Sequence, residues 1–403
     1  MVFKRKIFED LVNSQKSKKI SLIFGPRQVG KTHLMKRLAK QTKNYKYFNL
    51  EFPADSRIFN QDADELFCLL TNSEPYIFID EFHYVENISQ IFKAIYDWGD
   101  LHPKKSIKIF ASGSSAIEMH KHLKESLAGR FKKFIVRPLS LEEYKSNTKI
   151  ETSLNQYLKF GGLPGTYNAS ENPSDSDKQE YLQNLVATYI QKDIKSLIIE
   201  ENISGFNNLI YLLACWQGQI ISSTSLARET RVTEKTIERY LDILEQTFTI
   251  HKLKSFSRNL SNELKKSKKY FFYDLGIRNS IANDFNIQKN KGMIWETFTY
   301  HHLILFQKAN NAIYFWRTSD QTEIDFIWMD GSVPTPIEVK SDLHTPEIPK
   351  AFKTFFRAYP SAPMGIVMNE KINTTIDFLG KPVHFISFQN IEKISELVNI
   401  TVY

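Results

Sequence analysis

The segment Gly25-Pro26-Arg27-Gln28-Val29-Gly30-Lys31-Thr32 sets two glycines, a lysine and a threonine at the spacing G-x-x-x-x-G-K-[ST]. Glycines let backbone amides close around an anion with no Cβ in the way. A helix starting at Lys31 would add the positive end of its dipole. Lys31 would then reach the β- and γ-phosphates of a nucleoside triphosphate, and the Thr32 hydroxyl could hold Mg2+. These eight residues are therefore the expected binding loop for ATP and Mg2+. Downstream, the apolar run Tyr76-Ile77-Phe78-Ile79 ends in Asp80-Glu81. A carboxylate at a strand end can coordinate Mg2+, and the next can take a proton from attacking water. Asp80 is thus the expected metal residue and Glu81 the expected general base. His83 reads as a packed or capping histidine, because nothing nearby completes a metal site. A further run, Ser106 to Ala111, leads into Ser112-Gly113-Ser114-Ser115. Ser112 would lie beside the γ-phosphate if its strand neighbours the one before the glycine loop, and a helix-capping role is compatible with that.

A second set of chemistry-bearing residues lies in the last third. Glu296 falls in a helical stretch, Met293 to Phe306. Asp325 falls in a β-like run, Glu323 to Met329, and Glu338 and Lys340 in another, Thr335 to Lys340. Residues two apart on a strand share a face, so Glu338 and Lys340 point together. Carboxylates at Glu296, Asp325 and Glu338 could bind Mg2+, with Lys340 acting on the attacking water. That is the chemistry of metal-assisted phosphodiester hydrolysis. A charge pair on an exposed strand, with no metal role, is the alternative.

The elements that must position these residues follow from pattern. Lys19 to Phe24 is a strand feeding the glycine loop, and Leu34, Leu38 and Ala39 mark the helix after it. Lys159-Phe160-Gly161-Gly162-Leu163-Pro164-Gly165 is a breaker-rich turn. Glu171 to Lys178 reads as an exposed loop and Tyr181 to Leu197 as a helix. Asn207 to Trp216, Ser223 to Thr230 and Glu234 to Gln246 read as three helices, with Arg231-Val232 in a turn between the last two. Two β-like runs, Phe248 to Leu253 and Lys269 to Tyr273, flank a basic segment containing Lys254, Arg258, Lys265, Lys266 and Lys268. This is the pattern of a winged helix whose wing grips DNA, or of a packing module of the same shape. After Lys340 come a helix, Ile348 to Arg357, with Pro349 in its first turn, strands at Gly365 to Met368 and His384 to Ser387, and a last helix at Ile391 to Leu397.

The order of five segments resembles the prokaryotic AAA+/STAND-related ATPases that carry a C-terminal domain of unknown function. They are Gly25–Thr32, Ile79–Glu81, Ser112–Ser115, Leu127–Arg130 and Pro138–Glu143; Tyr189 to Ile194 is also similar. The resemblance implies that Ser112 senses the γ-phosphate. It also makes Arg130 a candidate arginine acting on a neighbouring copy; a structural arginine capping a helix or pairing with an acid fits equally. It further implies a restriction-endonuclease-like PD-(D/E)XK fold for the C-terminal domain, with Ile324 where a proline is usual before the first acid.

The expected fold is therefore α/β in four parts. An AAA+-like P-loop ATPase core spans residues 1–160, a helical connector 161–205, a winged helix 206–275, and a restriction-endonuclease-like domain 276–403. The 403 residues carry 53 Lys and Arg against 45 Asp and Glu, a net charge of +8 that suits a nucleic-acid partner, DNA before RNA. A homo-oligomer is compatible with Arg130. Cys68 and Cys215, each among apolar neighbours, read as buried thiols in a reducing compartment. No run approaches the ~18 apolar residues of a membrane span, and no apolar stretch follows the charged N-terminus, so no membrane is expected and the cytoplasm is the expected location. The expected activity is ATP hydrolysis controlling Mg2+-dependent nucleic-acid cleavage. The alternative is an ATP-dependent switch whose C-terminal domain binds a partner or DNA without cutting.

Overall fold

The computed structural model describes residues 3–85, 88–114, 127–147, 153–189, 202–257 and 267–398. Ser115, residues 190–197 at the end of the expected helix Tyr181 to Leu197, Arg258, Lys265 and Lys266 lie outside them. The chain divides into two compact units. One comprises Met1–Glu151, Leu163–Asp177 and Asp242–Thr249; the other comprises Thr152–Gly162, Lys178–Leu241 and Ile250–Tyr403.

The first unit is built on five parallel strands: β1 (Ile20–Phe24), β2 (Tyr45–Asn49), β3 (Tyr76–Asp80), β4 (Lys108–Gly113) and β5 (Phe131–Ile135). Their order is β2-β3-β4-β1-β5. Every residue of β1 and β4 is buried, whereas β2 and β5 at the edges are largely open. A central parallel strand is covered on both faces, so it reads as an unbroken apolar run rather than an alternating one. The helix Lys31–Lys40 buries Leu34, Met35 and Leu38. Because all strands run the same way, the segments after β1, β3 and β4 leave from the same sheet edge. Strand β4 lies between the other two: Ser112 pairs with Ile23 of β1, and Ala111 with Ile79 of β3.

The second unit has two sheets. Three helices, Ile203–Cys215, Ser223–Thr230 and Glu234–Gln246, accompany a small antiparallel sheet. Its strands are β6 (Ile220–Ile221), β7 (Ile250–Leu253) and β8 (Lys268–Phe272), with β8 in the middle. A six-stranded mixed sheet follows: β9 (Asn311–Arg317), β10 (Glu323–Asp330), β11 (Val333–Lys340), β12 (Gly365–Asn369), β13 (Thr374–Phe378) and β14 (Lys381–Ser387). Its order is β13-β14-β12-β11-β10-β9. The helix Lys350–Ala358 lays Phe352, Phe355 and Phe356 onto Trp316, Ile324, Ile327, Val367 and Phe385. The β9–β10 register shifts between Ile324 and Ile327, an irregularity that takes in Asp325 and Phe326. Bulges bend a strand and re-aim the side chains beside them.

Several expectations need correction. Cys68 is exposed and Cys215 half-buried, so neither is a fully buried thiol. Asp175 to Lys178 belongs to a helix, Asp175–Thr188, not to the preceding loop. The first of the three clustered helices starts at Ile203, four residues before Asn207. Pro349 is the N-cap of its helix rather than part of the first turn. Strand β13 was not expected. It is an edge strand, and only Ile376 and Phe378 are even half-buried, so its apolar signal is weak. Among the described residues, no helix is long and apolar enough to cross a membrane.

The breaker-rich turn has a specific function in packing. The Asp274 carboxylate accepts from the Gly162 amide at 2.7 Å and the Ile277 amide at 3.1 Å. Gly161 has φ +75°, and a Cβ there would sit 2.1 Å from Asp274 Oδ1. A Cβ on Gly276 would sit 2.2 Å from the Phe160 carbonyl oxygen. Gly161→Ala and Gly276→Ala should each destabilise the second unit by more than about 2 kcal/mol, through backbone clash and, at 161, left-handed strain. Chemical denaturation checks this; a loss below about 0.5 kcal/mol at both positions would contradict the interlock.

Candidate nucleotide site and carboxylate cluster

The loop after β1 is shaped by contacts no other residue type would permit. A Cβ on Gly25 would lie 2.1 Å from the Val136 carbonyl oxygen, just beyond β5. Gly30 has φ +97° and stands at the N-cap of the helix Lys31–Lys40. Lys31 is buried, and its ammonium donates to the carbonyls of Gly25 and Pro26, both at 3.0 Å. Burial lowers its pKa, while the charges of Glu81 and Asp80 work against that drop. The loop thus holds a desolvated cation across its own mouth, on weak carbonyl acceptors that phosphate oxygens would outcompete. Arg27, Gln28, Lys31, Thr32, Glu51 and Glu81 line a cavity of about 480 Å3, which Phe3, Pro164, Gly165 and Asn168 help to enclose. A volume of this size accommodates a nucleotide.

Behind the loop lies a buried pair. The Arg5 guanidinium donates to Glu143 Oε2 at 3.2 Å, to the Val29 carbonyl at 2.9 Å, and to the Arg137 carbonyl. Glu143 also accepts from the Lys6 amide at 2.8 Å and closes a capping box with Ser140. The Arg5 and Glu143 side chains are 6% and 8% exposed. The Pro138–Glu143 segment is therefore a brace for the glycine loop. Its charge partner, Arg5, lies far away in sequence, and spacing carries no sign of it.

The acidic residues are positioned from three strands. Asp80 is buried at the end of β3. It accepts from Tyr47 Oη of β2 at 3.0 Å and from the Ser112 hydroxyl of β4. Burial and the Asp80 charge raise the Tyr47 pKa, so the phenol keeps its proton and donates it. Ser112 also accepts from the Glu81 amide at 3.3 Å. Ser112 thus sits on the strand adjoining β1 and bridges the two acids. Glu81 has φ +54°, a left-handed conformation that favours glycine and that a glutamate adopts only at a cost. Its Oε2 accepts from the Ser114 amide at 3.1 Å and hydroxyl at 3.2 Å, and His83 Nδ1 lies 3.2 Å away. Burial opposes its charge, but His83, Lys31 and Ser114 together bring its pKa down to about 2. Glu81 is therefore ionised at neutral pH and loses its charge only as the pH falls toward that value. His83 is the acid's partner and stacks on Tyr84. The hard oxygen donors of Thr32 and Asp80, near a buried cation, suit Mg2+ bound together with a polyphosphate.

Arg130 is held within its own unit. Nε lies 2.7 Å from Asp97 Oδ1 and a terminal nitrogen 3.3 Å from Oδ2, a two-point pair on helix Ile88–Leu101.

In the second unit the four expected residues do come together, with two that spacing did not reveal. Lys340 Nζ lies 2.7 Å from Glu338 Oε1. Asp325 Oδ2 accepts from the Val339 amide at 2.8 Å, and the Asp325 amide lies 3.4 Å from Glu338 Oε2. The additions are Glu323 and Lys269. Lys269 was expected at the start of the second β-like run, beside the basic segment; it stands on the central strand β8, with a side chain only 2% exposed. Its Nζ lies 2.8 Å from Glu296 Oε1, 2.8 Å from Glu323 Oε1 and 3.9 Å from Asp325 Oδ1. Burial and the Asp325 charge push the carboxyls of Glu296 and Glu338 above the usual range, against the pull of Lys269 on the first and Lys340 on the second. Among the described residues, no group of three His, Cys, Asp or Glu is arranged to hold a metal ion. The cluster as folded does not fit Mg2+.

Known proteins share these parts. Residues 17–145 match the AAA domain family, residues 151–288 a domain of unknown function (DUF8612), and residues 291–385 another (DUF4143). An uncharacterized protein of Mycobacterium tuberculosis is 25% identical over 340 residues, covering 83% of this chain and 73% of that one. An uncharacterized protein of Methanocaldococcus jannaschii is 26% identical over 370 residues, covering 84% and 78%. A Walker-type ATPase of Pyrococcus abyssi aligns with 70% of this chain and 96% of its own, at 15% identity and a TM-score of 0.49. The AAA match spans β1 to β5 and the loops described above. The parallel sheet of the first unit thus matches the AAA domain family and resembles a P-loop ATPase core, and the separate sheet of the second unit falls largely in the DUF4143 match.

The brace behind the glycine loop is testable. Glu143→Ala leaves the Arg5 guanidinium buried without its counter-charge, a loss of roughly 3–5 kcal/mol. Nucleotide affinity should fall although Glu143 does not line the cavity. Unfolding and ATP-binding titrations of Glu143→Ala and Arg5→Ala check this; wild-type values in both would exclude the brace.

Proposed function

We propose that this chain binds ATP with Mg2+, hydrolyses it, and uses the cycle to switch what its second unit binds, with DNA as the foremost partner. The observation that carries the ATPase reading is the arrival of Lys31, Asp80, Glu81 and Ser112 at one sheet edge from β1, β3 and β4. Gly25 to Thr32 cradle the phosphates, and Lys31 trades its two carbonyl acceptors for phosphate oxygens. Thr32 and Asp80 would hold Mg2+, which supplies charge neutralisation between the phosphates. Tyr47 and Ser112 fix the Asp80 carboxylate. Glu81 takes the proton of the attacking water once the nucleotide loosens its hold on Ser114 and His83. The grip of Asp97 on Arg130 supports a structural arginine rather than one serving a neighbouring copy.

For the second unit we favour binding over cleavage. Three helices and the β6-β8-β7 sheet have the element order of a winged helix, in which Lys235 and Lys254 are exposed and Arg239 is half-buried. The helix Lys291–Phe306, strands β9 to β11, the helix Lys350–Ala358 and β12 have the element order of a restriction-endonuclease-like core. The buried Lys269 among the acids is what argues against a working metal nuclease.

Lys31→Ala should weaken ATP binding at least about tenfold, the cost of one charge-assisted contact or more. Glu81→Gln should keep affinity within a few-fold and slow turnover by about 10²–10⁴, because the amide accepts no proton. Equilibrium titration with a fluorescent ATP analogue and a phosphate-release assay separate the two effects. Undiminished turnover in Glu81→Gln would remove the general-base role.

A further inference from the structure

The carboxylate cluster of the second unit contains its own cation. We infer that the Lys269 ammonium takes the place that a divalent metal would occupy between Glu296, Glu323 and Asp325, and that it keeps metal out. This inference uses nothing from the nucleotide site and stands or falls separately from the ATPase reading.

The geometry is that of a fixed ligand. Lys269 lies on the middle strand of its sheet, paired with Ile220 on one side and Leu253 on the other, so its backbone has no freedom to withdraw. Its Nζ meets one oxygen each of Glu296 and Glu323 at 2.8 Å and faces Asp325 at 3.9 Å. The carboxylates come from two different elements, the helix Lys291–Phe306 and strand β10. The break in the β9–β10 register between Ile324 and Ile327 falls at this point. The Phe315 ring lies 5.7 Å from the ammonium, and a Cβ on Gly218 would be 2.9 Å from Glu296 Oε2. The ammonium and Glu296 are therefore enclosed, while the Glu323 and Asp325 side chains keep 31% and 21% of their exposure.

Three further oxygens of the cluster are also engaged. Asp325 Oδ2 takes the Val339 amide, Glu338 Oε1 takes Lys340, and Glu338 Oε2 faces the Asp325 amide. Mg2+ would require oxygens at about 2.0–2.1 Å around a common point with several waters retained. The ammonium already stands among three of the acids, and a neutral or absent lysine would leave buried Glu296 without its nearest counter-charge. The consequence is structural: one side chain ties the three-stranded sheet to the six-stranded sheet, and the acids serve that tie instead of cutting a phosphodiester.

The test uses the full chain, free of nucleotide, titrated with Mn2+ and read by the electron-paramagnetic-resonance signal of the free ion and by thermal melting. Asp325→Asn locates any site found. Wild type should show no Mn2+ binding that Asp325→Asn removes. Lys269→Ala should melt lower without metal, bind Mn2+ at least about tenfold more tightly than wild type, and regain stability with it. Adding Asp325→Asn to that variant should erase the gain. Should Lys269→Ala not fold, Lys269→Ala combined with Glu296→Gln removes one acid with the lysine and is read in the same way. An Asp325-dependent Mn2+ site in the wild type would overturn the inference. So would folded lysine variants that gain no such site.

Discussion

The glycine loop depends on a buried salt bridge, Arg5 with Glu143, that ties it to distant stretches of the chain. Arg5 reaches the Val29 carbonyl inside the loop and the Arg137 carbonyl beyond β5, and Glu143 holds Arg5 in place. A buried guanidinium is tolerable only when its donors are satisfied and its charge is met. That requirement fixes three stretches of chain at once: the N-terminal segment, the loop after β1 and the turn before the helix Leu141–Lys145. Lys31 can then be held desolvated on carbonyl oxygens and be ready for an anion.

The same rule shapes the acid side of the site. Asp80 is sunk at the strand end, so Tyr47 and Ser112 must donate to it, and they come from the strands on either side of β3. Glu81 is one residue further along, beyond the regular strand, in a left-handed turn. It is held ionised by His83, Lys31 and Ser114. Two adjacent carboxylates thereby acquire different surroundings, one fixed by neutral hydroxyls and one steered by cationic and amide donors. Different surroundings are what allow two equal side chains to do different work.

In the second unit the rule has the opposite result. Four acids and two lysines meet where a metal could have been, and the charges satisfy one another. The ammonium of Lys269 is rooted in a different sheet from β10 and β11, so the cluster serves cohesion between the two sheets of this unit.

Sequence spacing alone determined the phosphate loop, the acid-ended strand, the serine strand beside it and the alternation that brings Glu338 and Lys340 to one face. Each of these is local: glycine freedom, helix start and strand period act over a few residues, so type and spacing express them directly. The three helices from Ile203 to Gln246 and most strands of the last sheet were legible for the same reason, while exposed β13 lacked the apolar alternation that announces a strand. Only the tertiary structure decided who neutralises whom. Arg5 with Glu143, Tyr47 with Asp80, Arg130 with Asp97 and Lys269 with Glu296 are separated by 138, 33, 33 and 27 residues. A lysine in a basic stretch reads as a surface charge until the fold buries it among acids. Counter-charge is a property of position in space, and the chain announces it nowhere along its length.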